Sequence, residues 1–225
     1  MRRRRVRVAL ILAGLAVLAW LRLGPLPPEL HRARPTIDPA RLPPALVQAT
    51  LAAEDARFFS HPGVDPLALT RAAWHDLRYR RMLEGGSTVT QQTAKVLLRS
   101  PTEHRTARDK LRETLYALRL EHARNKREIM ALYLSVAPYG NGFTGAGEAS
   151  RAYFGCEPGA LTPAQAALLA GLPQRPSALN PYRDRAAAVK RQQWVLKRMG
   201  ELGHLDAKAL AAARAERLRL LPPRP

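Results

Sequence analysis

Apolar positions along this chain recur at helical spacing almost throughout, and no stretch of useful length alternates as a strand would. The pattern predicts helices over residues 45–54, 66–83 and 88–98, the second behind Asp65 as N-cap with Pro66 at the first helical position. A longer helix is predicted from about residue 108 to 123, with Leu111, Leu115 and Leu118 on one stripe. Asn125 and Glu128 form a capping-box start for the next, which carries Ile129, Leu132 and Tyr133, and Thr162-Pro163-Ala164-Gln165 opens another. Segments 184–199 and 206–218 also read as helical, separated by Gly200 and Gly203. No internal repeat is visible, and the tail from Pro222 reads as loose. The expected fold class is mainly α.

The N-terminus follows a different rule. Arg2 to Arg5 and Arg7 precede an apolar run over residues 8–21 that Arg22 closes. Fourteen residues fall short of the roughly 20 that span a hydrocarbon core, although Arg7 and Arg22 could snorkel. An uncleaved anchor, a cleaved signal peptide and a basic tail are the three readings; no small-x-small cleavage site follows, which favours the anchor. The positive-inside rule then keeps the arginines in the cytoplasm and exports the rest, as a single-pass protein of the cytoplasmic (inner) membrane. Seven prolines between residues 24 and 44 exclude a long helix and suggest a stiff tether. The expected organisation is an anchor over 1–23, a Pro-rich linker over 24–41 and one globular domain over 42–221.

Composition refines this picture only in part. A chain of 225 residues can bury one sizeable core. Its 37 Lys and Arg against 18 Asp and Glu, a net charge of +19, favour an anionic partner. Nucleic acid is disfavoured because the N-terminal segment would export the domain. Cys156 is the only cysteine, so no intramolecular disulfide can form.

Three stretches carry candidate chemistry. In Glu54-Asp55-Ala56-Arg57-Phe58-Phe59-Ser60-His61-Pro62-Gly63, a carboxylate at the end of an apolar helix lies beside aromatic rings. Desolvation there could raise the pKa of Glu54 to suit a general base or acid, while a surface Glu-Asp pair closing a helix is the plainer reading. His61 is equally open between a hydrogen-bonded structural residue and a catalyst. No second His or Cys stands at metal-ligand spacing, which argues against zinc. In Gly85-Gly86-Ser87-Thr88-Val89-Thr90-Gln91-Gln92, two glycines lead into a helix whose first turn could receive an anion, with Lys95 further along. The Walker spacing is absent. Third, Arg105, Arg108, Lys110 and Arg112 cluster ahead of Glu113; alone they could equally be a solvated basic face with an intrahelical pair.

In this order, the three stretches resemble the peptidoglycan glycosyltransferase family, found as monofunctional transglycosylases and as N-terminal domains of class A penicillin-binding proteins. The resemblance covers about residues 42 to 200. It rests on Glu54-Asp55-x-x-Phe58-x-x-His61-x-Gly63-x-Asp65, on Gly85-Gly86-Ser87-Thr88-x-Thr90-Gln91-Gln92-x-x-Lys95, and on Arg105-Thr106 with Lys110-x-x-Glu113. It continues through Glu128-Ile129-x-x-Leu132-Tyr133, Tyr153-Phe154-Gly155 and the run from Ala166 to Pro173. The resemblance implies a lysozyme-like helical domain that polymerises lipid II into glycan strands with inversion, releasing undecaprenyl diphosphate. Glu54 matches the general base. Lys95, Arg105 and Lys110 match the cations of the leaving diphosphate, with Ser87, Thr88, Gln91, Gln92 and Arg108 in substrate binding and Asp55, Phe58, His61, Gly85 and Gly86 in support. Glu113 matches the second glutamate, expected to organise that cluster or a divalent cation, Mg or Mn. Residues 71–83 resemble a lobe that touches membrane lipids, though an ordinary helix packing its apolar stripe on the core explains them equally well. The implied partners are lipid II, the growing glycan chain, membrane lipids and transpeptidases or other cell-wall synthesis proteins.

This copy departs from the family pattern at Asp109, where Arg is common, and at Ser135, where Asn is usual. Some features resemble the class C type of penicillin-binding protein, but with Pro225 as the last residue no transpeptidase domain is expected. Two other readings compete: a lytic, lysozyme-like hydrolase, disfavoured because hydrolysis has no diphosphate to bind, and an inactive membrane-tethered lipid II-binding scaffold, which Asp109 keeps open.

Overall fold

The computed structural model describes residues 26–68, 70, 86–99 and 106–223. The expected anchor, the lobe over 71–83, Gly85 and Arg105 lie outside the described residues. Among those described, the fold is mainly helical: α1 (Pro28–Arg32), α2 (Pro44–Glu54), α3 (Val89–Leu97), α4 (Ala107–Ala123), α5 (Lys126–Val136), α6 (Ala146–Phe154), α7 (Pro163–Gly171), α8 (Arg185–Glu201) and α9 (Ala207–Ala215). The only β pairing among them is an isolated antiparallel bridge between Pro138 and Thr144. None of these helices is long and apolar enough to cross a membrane.

Local chemistry sets most helix starts. Thr88, Thr106, Asn125 and Thr162 each cap a first turn and are answered by Gln91, Asp109, Glu128 and Gln165 at the third position. Pro44 and Pro163 occupy first-turn positions, where a missing N–H costs nothing. The apolar helix α7 packs between α2 and α8, while α3 lies against α4 and α5. Tyr133, Tyr139, Tyr153 and Phe58 are the largest enclosed side chains of the core.

Two expectations are corrected. The buried face of α4 is Glu113, Ala117 and Leu120, at i, i+4 and i+7, whereas Leu111 of the expected stripe is 58% exposed. The helix turns its polar face towards α3, where Gln91 donates to Thr114 Oγ1 at 2.9 Å, so leucine spacing did not choose the inward side. The helix expected over 206–218 ends at Ala215, and the chain beyond folds back, Leu221 N–H donating to the Tyr153 carbonyl and Arg185 to that of Leu218.

The proline-rich stretch, expected to be a tether, is packed over its described part. Leu30 is fully enclosed. Arg124 donates to the carbonyls of His31 and Ala33, and Arg127 to those of Pro39 and Ala40. Prolines prevent a regular ladder but leave carbonyls free, and arginines of the body take them up. Ser135 serves the same docking: its Oγ accepts from Thr36 N–H at 2.9 Å and donates to the Ala131 carbonyl at 2.7 Å.

Candidate functional site

Helix α3 joins the three sequence stretches into one site. At its start, Val89 N–H donates to Asp55 Oδ2 at 3.1 Å, an anion on the free donors of a helix N-terminus. Thr88 Oγ1 donates to the Gly63 carbonyl at 2.6 Å. Gly63 has φ +90°, and a Cβ there would meet Glu121 Cγ at 2.8 Å and the Ala117 carbonyl at 3.2 Å, so only glycine lets this loop lie on α4. One turn into α3, Gln92 Nε2 donates to Glu54 Oε2 at 2.5 Å. Just before α3, Ser87 Oγ accepts from Lys110 Nζ of α4 at 2.7 Å.

Glu54 closes α2 with its carboxylate recessed, and Oε1 is enclosed without a hydrogen-bond partner. Burial raises its pKa; Gln92 and the positive charge of Arg191 oppose the rise, and the neighbouring Asp55 adds to it. Behind Gln92, the Tyr133 hydroxyl donates to Oε1 of the amide at 3.4 Å, which turns the amide N–H towards Glu54. The hydroxyls of Tyr133 and Tyr139 are pushed upward by burial and by the Glu54 charge, so both remain protonated donors.

His61 is held at both ring nitrogens. Its Nε2 lies 2.9 Å from Asp55 Oδ2, and Gly63 N–H donates to its Nδ1 at 3.2 Å. A ring whose Nδ1 accepts carries its proton on Nε2, which donates to the Asp55 carboxylate. Both ring nitrogens are thereby used, and the pair is buried. Phe58 packs beneath, under Lys126 Nζ at 4.4 Å from its ring centre; Lys126 also pairs with Glu121, which accepts from Thr90. Arg57 and Asp65 form an ion pair that holds the Asp65 carboxyl down at about 2, and Asp65 Oδ1 caps Ala68 N–H as expected.

The cationic stretch divides. Lys110 faces the site, Arg108 is exposed, and Glu113 is fully buried on the inner face of α4. Lys95 lies on α3, one turn beyond Gln92. Asp109 has a local role: it answers the Thr106 cap, accepting from Thr106 N–H at 3.0 Å and Thr106 Oγ1 at 2.6 Å. Among the described residues no group of three or more His, Cys, Asp and Glu could hold a metal ion. Sequence reasoning missed Arg191, which stands in a helix with several other cations and gives no signal of its own. Tyr133 lay within a recognised motif, but its place behind Gln92 was not readable from spacing.

A recessed carboxylate and a lysine, both tied to one helix start in an α-helical domain, define a class suited to acid–base chemistry on an anionic substrate. The chain belongs to the transglycosylase family, whose sequence model matches residues 25–200. It is 42% identical over 181 residues to penicillin-binding protein 1C of Escherichia coli, covering 80% of this chain and 23% of that protein. It is 41% identical over 165 residues to penicillin-binding protein 1A of Aquifex aeolicus, covering 73% and 22%. A Cupriavidus necator protein named as a candidate transglycosylase is 38% identical over 213 residues, 93% of this chain and 91% of its own length. The chain thus spans under a quarter of the two penicillin-binding proteins and nearly all of the third relative. A solved penicillin-binding protein 1A from Haemophilus influenzae is 34% identical over 44% of this chain and 15% of its own, with a TM-score of 0.42.

Proposed function

We propose that this protein is a peptidoglycan glycosyltransferase that polymerises lipid II on a lysozyme-like domain at the outer face of the cytoplasmic membrane, held there by the anchor over residues 1–23. The observation that carries the reading is the double tie made at the start of α3, Gln92 to Glu54 and Ser87 to Lys110, which sets a desolvated carboxylate and a cation around one site. Glu54 takes the proton of the acceptor 4-hydroxyl as that oxygen bonds to the donor anomeric carbon. The bond from that carbon to the diphosphate oxygen breaks with inversion, and undecaprenyl diphosphate departs with the electron pair. Lys95, Arg105, Lys110 and Arg108 stabilise the charge developing on the phosphates. Thr88 and Gln91 shape the helix start that faces them, and Asp55, Phe58, His61 and Gly86 hold the surrounding backbone, the support to which the family motif also assigns Gly85. Glu113 orients the cations from within α4. A Mg or Mn ion belongs to this reading only as a counter-ion of the substrate's own phosphates, and no step depends on it. Transpeptidases and other cell-wall synthesis proteins are the partners that would cross-link the product.

The test uses purified full-length protein in detergent with lipid II. Glycan polymer and released undecaprenyl diphosphate are expected, and Glu54→Gln abolishes both while its circular dichroism is unchanged. A well-folded wild type that makes no polymer would sink the reading in favour of the scaffold, and shortening of added glycan strands would favour the hydrolase.

A further inference from the structure

One cation approaches the Glu54 carboxylate from outside the three sequence stretches. Arg191, in the second turn of α8, donates from Nη2 to the carbonyl of Ala53 at 3.3 Å, across 138 residues of chain. Its guanidinium carbon lies 4.1 Å from the centre of the Trp194 ring, a stacking contact that favours a cation in one orientation. Nε is enclosed without a hydrogen-bond partner. Burial pulls the Arg191 pKa down and the Glu54 charge holds it up, so the two groups support each other's ionisation through space.

The route taken by this side chain is built into α7. Gly171, the last residue of that helix, leaves the space through which Arg191 passes, and a Cβ there would stand 2.8 Å from Arg191 Cγ. That is the stem of the side chain rather than its flexible end, so a methyl group at 171 would displace the guanidinium. The packing of α2, α7 and α8 and the placement of this charge are therefore one feature.

The groups around Glu54 show what the charge does. Asp55 is the adjacent anion and works against ionisation of Glu54. Its own carboxylate is taken up by His61 and by Val89 N–H. From α3 comes Gln92, neutral, with Lys95 a turn further along; from α5 and the turn after it come Tyr133 and Tyr139, both protonated. Helix α7 has no titratable side chain. After the Gln92 hydrogen bond, Arg191 is the charge that opposes burial and Asp55, and the balance still leaves the Glu54 pKa raised.

We propose that Arg191 is a positioning residue for Glu54: a fixed cation that favours the charged form of the carboxylate and, through the Ala53 carbonyl, pins the last turn of the helix that presents it. The inference rests on the reading of Glu54 as the base, but its first test does not require the reaction. The Glu54 carboxyl is titrated by 13C NMR in the full-length protein, its resonance assigned by loss in Glu54→Gln. Arg191→Gln is expected to raise the Glu54 midpoint by about 0.5 to 1 pH unit. Arg191→Lys, which keeps the charge, leaves most of the midpoint in place, and Gly171→Ala raises it part of the way. In lipid II polymerisation, the acid limb of kcat moves upward by the same amount in Arg191→Gln, and the rates of variant and wild type converge at high pH. An unmoved midpoint, or a rate loss equal at every pH, overturns the proposal. A shifted midpoint in a protein that polymerises nothing upholds the coupling while removing the reaction assigned to the site.

Discussion

Glu54 carries a conflict between stability and chemistry. Burial disfavours its charged form, and one amide donor, Gln92, with a cation at a distance offsets only part of that cost, leaving the pKa raised. The folded state therefore holds the proton more tightly than the unfolded chain, and stability falls as pH rises past the ordinary carboxylate range. Glu54→Gln removes the charge while keeping an acceptor for Gln92. It is expected to melt at a higher temperature than wild type at neutral pH, with the difference closing as pH falls towards that range, as scanning calorimetry across pH would measure. Equal melting temperatures at every pH would mean that the carboxylate is solvated in the folded state.

At the scale of elements, the departure at Asp109 has a structural reason. Thr106 and Asp109 satisfy each other's backbone at the start of α4, the helix that carries Lys110 and Glu113. Asp109→Arg removes the reciprocal cap and the favourable acidic charge from the first turn, and is expected to cost about 1 kcal/mol in a denaturant melt. Arg108→Ala, at an exposed position, is expected to leave the melt unchanged and, on the proposed function, to raise the KM for lipid II. If Asp109→Arg instead melts like wild type, the capping box contributes nothing. The short motifs were legible in part: the caps at Asn125 and Thr162 were read from residues three apart, because a cap is a local hydrogen bond, whereas those at Thr88 and Thr106 lay inside motifs read for their chemistry. The buried face of α4 could not be read, because Glu113 and Thr114 turn inward to meet α3, and a leucine count assigns the inside to apolar side chains alone.

Over the whole molecule, the described residues before α2, 26–43, pack on the folded body. Leu30 is enclosed among core residues; Arg124, at the C-cap of α4, holds the backbone just after it, and Arg127 of α5 holds that of Pro39 and Ala40. Leu30→Ala is expected to destabilise the protein by about 2 to 5 kcal/mol, seen as an earlier cooperative denaturation. A free tether would tolerate the change without effect. The same docking gives Ser135 its use, since a short hydroxyl at the end of α5 receives the N–H of Thr36.

The sequence by itself determined the helical class, most helix starts, the family and the residues of its motifs, because periodicity, caps and motif spacing are properties of near neighbours. Only the tertiary structure decided that His61 is held at both nitrogens, that Tyr133 stands behind Gln92, that the described part of the proline-rich stretch is packed, and that Arg191 passes Gly171 to reach the helix bearing Glu54. Each of these joins residues whose approach depends on how helices pack, and burial sets both the charge of a carboxylate and the cation it requires.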